Sequence, residues 1–404
     1  MIIRKLHFAT AAAMLTLVAA TAANAQQYPG VTATEIKIGQ TMPYTGPVAA
    51  FSALGKGEIG YFKMINDQGG INGRKINLIS LDDGYVPPKT LEQTRKMVEQ
   101  DGVSFIFSSI GTAANTAIQK YLNDRKIPQL FVGSGAAKFG NYKDFPWTTA
   151  GVQATFRAEA RIYTKHILND NPNAKIAILY QHDDFGRDYV AGIKDVLGDK
   201  YDKTVVEATY EFTDATVDSQ VVQLQSSGAT ALICVATPKF AAQAIRKVYD
   251  MGWKPTFFMT NVGIWVNTVI NPAGPEKAVG MMSSVYVKDP GSPTWDSDPA
   301  MQDYKAWMKK YMPNDDISDQ NFVNSYNESM VVVQVLKQAG NDLSRENIMR
   351  QALSIKDFPL PMMLPGITVN TSPTDHFPID QMQLMRWDGK SWVRFGDLLV
   401  GSEN

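Results

Sequence analysis

The sequence predicts an α/β fold with two similar lobes, each a parallel sheet with helices on both faces. Three observations predict it. Short apolar, β-rich runs alternate with helix-period segments from residue 35 to residue 259, the pattern of a sheet wrapped on both sides. The alternation breaks at Phe145-Pro146-Trp147-Thr148-Thr149 and then restarts as a second unit of similar size. The remaining segments, after residue 279, are too few for a third core and read as additions to both lobes, so the chain crosses between lobes more than once.

In order, residues 35–40 alternate and predict the first strand. A loop through Pro43, Gly46, Pro47 and Phe51 follows, then a helix that stops at Gly69-Gly70. Residues 75–81 predict a strand, and Pro87-Pro88 opens a helix over 89–100, since proline suits a first turn. Residues 103–107 and 127–132 predict two more buried strands with a helix over 113–123 between them. In the second unit, helices are expected over 154–168, from 187, over 218–225 and over 239–251; strands over 175–180, 204–210, 229–236 and 256–259. The tail predicts an extended 279–286, helices over 299–311, 321–340 and 345–353, and a hairpin around Asp388-Gly389.

The chain has 404 residues, 44% hydrophobic and 20% charged, with a formal net charge of -1. No basic footprint supports a nucleic-acid partner. Arg4, Lys5 and His7 precede an apolar run, and Ala23-Asn24-Ala25 is a small-x-small cleavage pattern. Residues 1–25 therefore read as a cleavable signal peptide, with no cysteine for a lipid anchor and no later span for membrane insertion. Cys234 is the single cysteine, within an apolar strand, so it reads as core and forms no internal disulfide. Export without disulfides points to a periplasm. The four histidines have no metal spacing, and no metal or cofactor is expected.

The candidate site starts at Ser108-Ser109-Ile110-Gly111-Thr112, a turn between a buried strand and a helix. Free amides at a helix start attract anions, Gly111 permits close approach, and Thr112 is placed to cap the helix. No lysine stands in the turn, so a small carboxylate suits it better than a polyphosphate. The plain alternative is an ordinary capped turn. Asp82-Asp83 and Asp183-Asp184 read either as paired carboxylates or as residues that end a strand and cap the next element. An exported α/β enzyme is a rival from a different class. Gly133-Ser134-Gly135 invites a nucleophile elbow or a dinucleotide fingerprint, but Val132, Ala136 and Lys138 stand where either motif needs glycine.

Taken together, Ile36-Lys37-Ile38-Gly39, Thr45-Gly46-Pro47-Val48-Ala49, Gly69-Gly70-Ile71-Asn72-Gly73, Asp82-Asp83, the turn from Ser109 to Thr116, His182-Asp183-Asp184-Phe185-Gly186 and Gly252-Trp253-Lys254-Pro255 carry a resemblance. In order and spacing the chain resembles the type I periplasmic substrate-binding proteins of ABC importers, in particular the branched-chain amino-acid-binding (Leu/Ile/Val) family. The resemblance implies two Rossmann-like lobes joined by a three-segment hinge, with crossings near 147–151, 285–287 and 365–367 and the ligand cleft between. It implies a signal over 1–25, lobe 1 as 26–148 plus 286–365, and lobe 2 as 149–285 plus 366–404. It implies a monomer without catalysis that hands a small ligand to an inner-membrane ABC permease.

Carried onto this sequence, the resemblance places substrate-binding roles on Phe51, Gly111, Thr112, Gly133, Ser134, Gly135, Ala136, Phe185, Thr237 and Asn261. One departure matters. Where family amino-acid binders hold a lobe-two carboxylate for the ligand's ammonium, this chain has Asn261 or Val262, and Thr237 stands near the place of a family tyrosine. An ammonium buried without a counter-charge is costly. The expected ligand is therefore an aromatic or other organic acid without an α-amino group, with nothing acidic facing it; branched-chain or other amino acids are the alternative, served by Asp183 or Asp184. Phe51, Phe185 and Trp265 would stack on such a body, although Trp265 also reads as packing under its own loop.

Overall fold

The computed structural model describes residues 28–401; the leader read at 1–25 lies outside them. The first unit runs β1 (Glu35–Met42), α1 (Ser52–Asp67), β2 (Lys75–Asp82), α2 (Pro87–Glu99), β3 (Phe105–Phe107), α3 (Thr112–Asp124) and β4 (Gln129–Leu130). Its four strands are all parallel, in the order β2-β1-β3-β4. Ile36, Ile38, Phe105 and Phe107 have no exposed surface, because helices cover this sheet on both faces.

The second unit runs α4 (Phe156–Asp170), β5 (Ile176–Gln181), α5 (Asp184–Leu197), α6 (Tyr201–Thr204), β6 (Val205–Tyr210), α7 (Asp218–Ser226), β7 (Ala231–Val235), α8 (Pro238–Asp250), β8 (Thr256–Met259), α9 (Asn271–Ala273) and β9 (Met282–Val285). Then come α10 (Pro299–Tyr311), α11 (Gln320–Ala339), α12 (Arg345–Ala352), a short pair β10 (Phe358–Pro359) and β11 (Thr368–Val369), and the hairpin β12 (Gln381–Trp387) and β13 (Trp392–Val400). The second sheet has seven strands, in the order β13-β12-β9-β8-β7-β5-β6. Strands β5 to β9 pair in parallel; β12 is antiparallel to both β9 and β13. Cys234 lies fully buried in β7.

The chain passes between the two sheets three times. It leaves the first after β4, returns after β9 to lay α10 and α11 on α1, and leaves again after α12 to add the hairpin to the second sheet. Gly57 makes the α1–α11 contact close, since a Cβ there would sit 2.0 Å from Ser325 Oγ. That approach brings the middle of α11 against the turn after β3, where Ser108 donates to Glu328.

Several predicted boundaries move, two of them for a local reason. The strand expected over 127–132 shrinks to two residues, because Phe131 turns out of the sheet at φ 50°. The helix expected from residue 187 starts at Asp184, because the Asp183 carboxylate accepts from the Phe185 and Gly186 amides at 3.0 and 3.4 Å. The strand expected from residue 103 starts at Phe105.

Candidate functional site

A cleft holding about 620 Å³ of space, part of it open to solvent, lies between the two units at the carboxyl ends of their strands, where open α/β sheets bind ligands. One wall comes from the first unit: Phe51 and Leu54 at the start of α1, Tyr85 after β2, Ile110, Gly111 and Thr112 between β3 and α3, and Gly133 and Ser134 after β4. The facing wall is Phe156 of α4, Phe185 of α5, Thr237 after β7, and Val262 and Trp265 after β8. Gln153 and Tyr286, on two of the crossing segments, close the back.

The first wall is built around the turn after β3. Gly111 caps α3 at φ 107°, and a Cβ there would lie 2.5 Å from the Tyr85 ring. Only glycine fits that backbone and that contact. Thr112 is the first helical residue and not the cap, which corrects the sequence expectation: no side chain caps α3. Its hydroxyl instead meets the Ser134 hydroxyl at 2.7 Å, joining two neighbouring turns. The α3 amides after Gly111 thus have no capping side chain beside a buried hydroxyl pair, which is an anion-binding arrangement.

Phe51 and Phe185 both line the cavity, and so does Trp265, whose indole N–H is buried without a protein partner. Phe156 packs edge-on to Phe185 at 4.8 Å between ring centroids. Tyr85 reaches across to Phe212 at 5.8 Å. Two polar contacts also cross the cleft: Lys138 Nζ to Asp184 Oδ2 at 2.9 Å, and the Ala137 amide to Asp188 Oδ2 at 3.0 Å. The lobes are therefore closed on each other.

Three other expectations, Gly135, Ala136 and Asn261, fall beside the cavity and not on it. Gly135 packs under Phe156, where a Cβ would lie 2.8 Å from the ring, and the Ala136 amide turns back to Ser134 Oγ at 3.2 Å. Asn261 is buried, and its amide donates to Glu159 Oε1 at 3.0 Å; its neighbour Val262 faces the cavity in its place. Thr237 lines the cavity with its hydroxyl unpartnered, while its amide donates to Tyr210 Oη at 3.1 Å. Asp183 is spent on capping α5, and Asp83 accepts from the Tyr85 amide and the Thr90 hydroxyl at 2.9 and 2.8 Å.

The larger correction is an acid. The sequence reading expected nothing acidic to face the ligand, yet Glu328 lines the cavity from α11, with Asn321 and Asn324 on the same helical stripe. Glu328 Oε2 accepts from Ser108 Oγ at 2.7 Å, and Ser108 holds that position at φ 48°, a strained conformation for serine. Behind it, Glu58 of α1 faces Glu328, and Gln40 donates to Glu58. Burial, and for Glu58 also the facing carboxylate, push both acids well above the usual carboxylate range. The signal that would have found Glu328 is its spacing. Asn321, Asn324 and Glu328 stand at i, i+3 and i+7, one face of a helix that is otherwise largely apolar.

Among the described residues, no group of three or more His, Cys, Asp or Glu is placed to hold a metal ion. No helix among them is long and apolar enough to cross a membrane.

The model of the family described as "Periplasmic binding protein" matches residues 35–391. Leu/Ile/Val-binding protein homolog 1 of Brucella suis is 24% identical over 248 residues, 60% of this chain and 64% of that protein, so the match spans less than two thirds of its length. The structure of a branched-chain amino acid ABC transporter protein from Thermus thermophilus with bound valine superposes at TM-score 0.81 and 14% identity, covering 92% of this chain and 97% of that one. A fatty acid ABC transporter substrate-binding protein from Thermomonospora curvata superposes at TM-score 0.77 and 21% identity, covering 94% and 95%.

Proposed function

The chain belongs to the periplasmic binding protein family, and on that premise we propose that it is the solute-binding component of an ABC importer. It captures a small carboxylate in the periplasm, closes its two lobes on it and delivers it to an inner-membrane permease. The lobes are 26–148 plus 286–365 and 149–285 plus 366–404, after a cleaved signal over 1–25. The observation that carries the ligand class is the buried Thr112–Ser134 hydroxyl pair beside the uncapped start of α3. One solved neighbour named above holds valine and the other is a fatty acid transporter's substrate-binding protein; a carboxylate is the group valine and a fatty acid share.

The body of the ligand is apolar or aromatic. Phe51, Phe156, Phe185 and Trp265 line the cavity that such a body would fill, and burying it against rings supplies most of the closing free energy. The ligand is proposed to be an organic acid without an α-amino group. An α-ammonium sits beside its own carboxylate, and the hydroxyl that holds Glu328 is that of Ser108, not Thr112 or Ser134. The second reading, amino-acid binding, is favoured by Glu328 itself, a cavity-lining carboxylate.

Calorimetry separates the two. An aromatic acid such as phenylacetate is expected to bind and leucine is not; tight leucine binding with no response to any acid lacking an amine overturns the ligand class. Thr112→Val is expected to weaken acid binding by roughly 1.5–3 kcal/mol, the worth of a hydrogen bond to a charged group. Unchanged affinity removes Thr112 from the site.

A further inference from the structure

The carboxylate reading leaves part of the cavity wall unused. Asn321, Asn324 and Glu328 bring polar atoms to a lining that is otherwise rich in rings. Two of the polar atoms there are buried without a protein partner: Asn321 Oδ1, an acceptor, and Trp265 Nε1–H, a donor. Both residues are more than nine-tenths buried. Glu328 completes the set. One of its oxygens accepts from Ser108.

Buried polar atoms in folded proteins are paired, and unpaired ones call for a reason. Closing the cleft on a wholly apolar ligand would leave these atoms dry and unsatisfied. A ligand group that both donates and accepts would satisfy them together. It would donate to Asn321 Oδ1 or Glu328 and accept from the Trp265 indole N–H. A hydroxyl does this. An ammonium does not, since it has no lone pair for the indole to reach.

We propose that Glu328, Asn321 and Trp265 form a second polar subsite that takes a hydroxyl on the ligand, remote from its carboxylate; this rests on the carboxylate reading above. The transported solute is then a hydroxylated aromatic acid. Glu328 is a specificity-determining residue. It makes the cleft prefer the hydroxylated acid over its plain analogue, because the plain analogue strands buried polar groups.

The test is calorimetry on the whole exported protein with matched pairs: benzoate, phenylacetate and phenylpropanoate, each with and without a para ring hydroxyl. In the best-binding pair the hydroxylated acid is expected to bind at least about tenfold tighter than its partner. Glu328→Ala and Asn321→Ala are each expected to bring the two acids of that pair close to level. Glu328→Gln, which keeps the shape and an acceptor, is expected to retain part of the preference and guards against loss of fold. Equal affinity within every pair overturns the inference while leaving the carboxylate reading standing. So does a preference that survives both alanine variants. If no acid binds and leucine does, the carboxylate reading fails and this inference fails with it.

Discussion

Glu159 and Glu328 are both buried carboxylates, one against each sheet, and they are held in opposite ways. Glu159 of α4 is surrounded by donors: the hydroxyls of Tyr163, Tyr189 and Ser284 and the amide of Asn261. These come from α4, α5, β9 and the segment after β8, so one side chain ties four parts of the second unit together. Glu328 has one hydroxyl donor, Ser108, and its other neighbour is a second acid, Glu58, one of whose oxygens has no partner. Glu159 does not line the cavity and Glu328 does. A buried charge that the protein satisfies by itself is architecture. One that is left half-satisfied on a cavity wall is where a ligand has work to do.

The sharpest way to break this comparison is to remove each carboxylate and read stability. Glu159→Ala strips the acceptor from four buried donors and is expected to lose about 3–5 kcal/mol of unfolding free energy, the range for breaking a buried charged network. Glu328→Ala removes one of two facing acids and relieves their repulsion, so its cost in stability is expected to be below about 1 kcal/mol. Urea unfolding of both variants at neutral pH measures this. Equal losses would mean that Glu328 is as structural as Glu159, and the contrast would go.

A pH titration sharpens the same contrast. Burial raises Glu159 from its ordinary value of 4.5 to about 7 despite its four hydrogen bonds. Between those values the folded protein binds a proton that the unfolded chain has released. Stability from this group is therefore fully present below about pH 4.5 and is lost as pH rises through 7, with a slope of at most about 1.4 kcal/mol per pH unit. Glu58 and Glu328 are raised in the same direction and add to the slope. Unfolding free energy is expected to fall from pH 5 to pH 7.5 in the wild type and less steeply in Glu159→Gln. A profile that rises over this range would mean these acids are ionised in the folded state throughout.

How much of this was legible in the sequence follows the same line. Strands such as β5 and β7 were readable because parallel strands buried on both faces must be apolar throughout, and Ile176, Ala177, Ile178 and Leu179 have no exposed surface. The turns carrying Gly111, Thr112, Gly133 and Ser134 were readable because their glycine and hydroxyl content is local chemistry. The cap by Asp183 was readable, but its effect on where α5 starts was not used. Glu328 was not found, because α11 reaches the cleft only through the second crossing of the chain, some two hundred residues after the turn it faces. Its helical face looked like core with a few polar interruptions. Asn261 was misplaced by the same kind of fact: Glu159, a hundred residues earlier, holds its backbone and leaves Val262 to face the cavity.

The smallest expected effect belongs to a third kind of charge, exposed and spanning the cleft. Lys138 and Asp184 meet at 2.9 Å with about a third of each side chain exposed. Asp184 also pairs with Arg187 within its own helix, at 2.7 Å. Such a pair is screened by solvent and is worth about 0.2–1 kcal/mol. It joins the two lobes, so that energy acts on closure and not on the stability of either unit. Lys138→Ala is therefore expected to leave unfolding free energy within about 0.5 kcal/mol and to weaken ligand binding by at most about fivefold. The deficit should shrink in 0.5 M salt, because exposed charges are screened there, whereas the effect of Thr112→Val, buried in the cavity wall, should persist. If the Lys138→Ala deficit were independent of salt, the ion pair would not be its cause. Loss of the lysine stem packed at the rim of the cleft would then explain it.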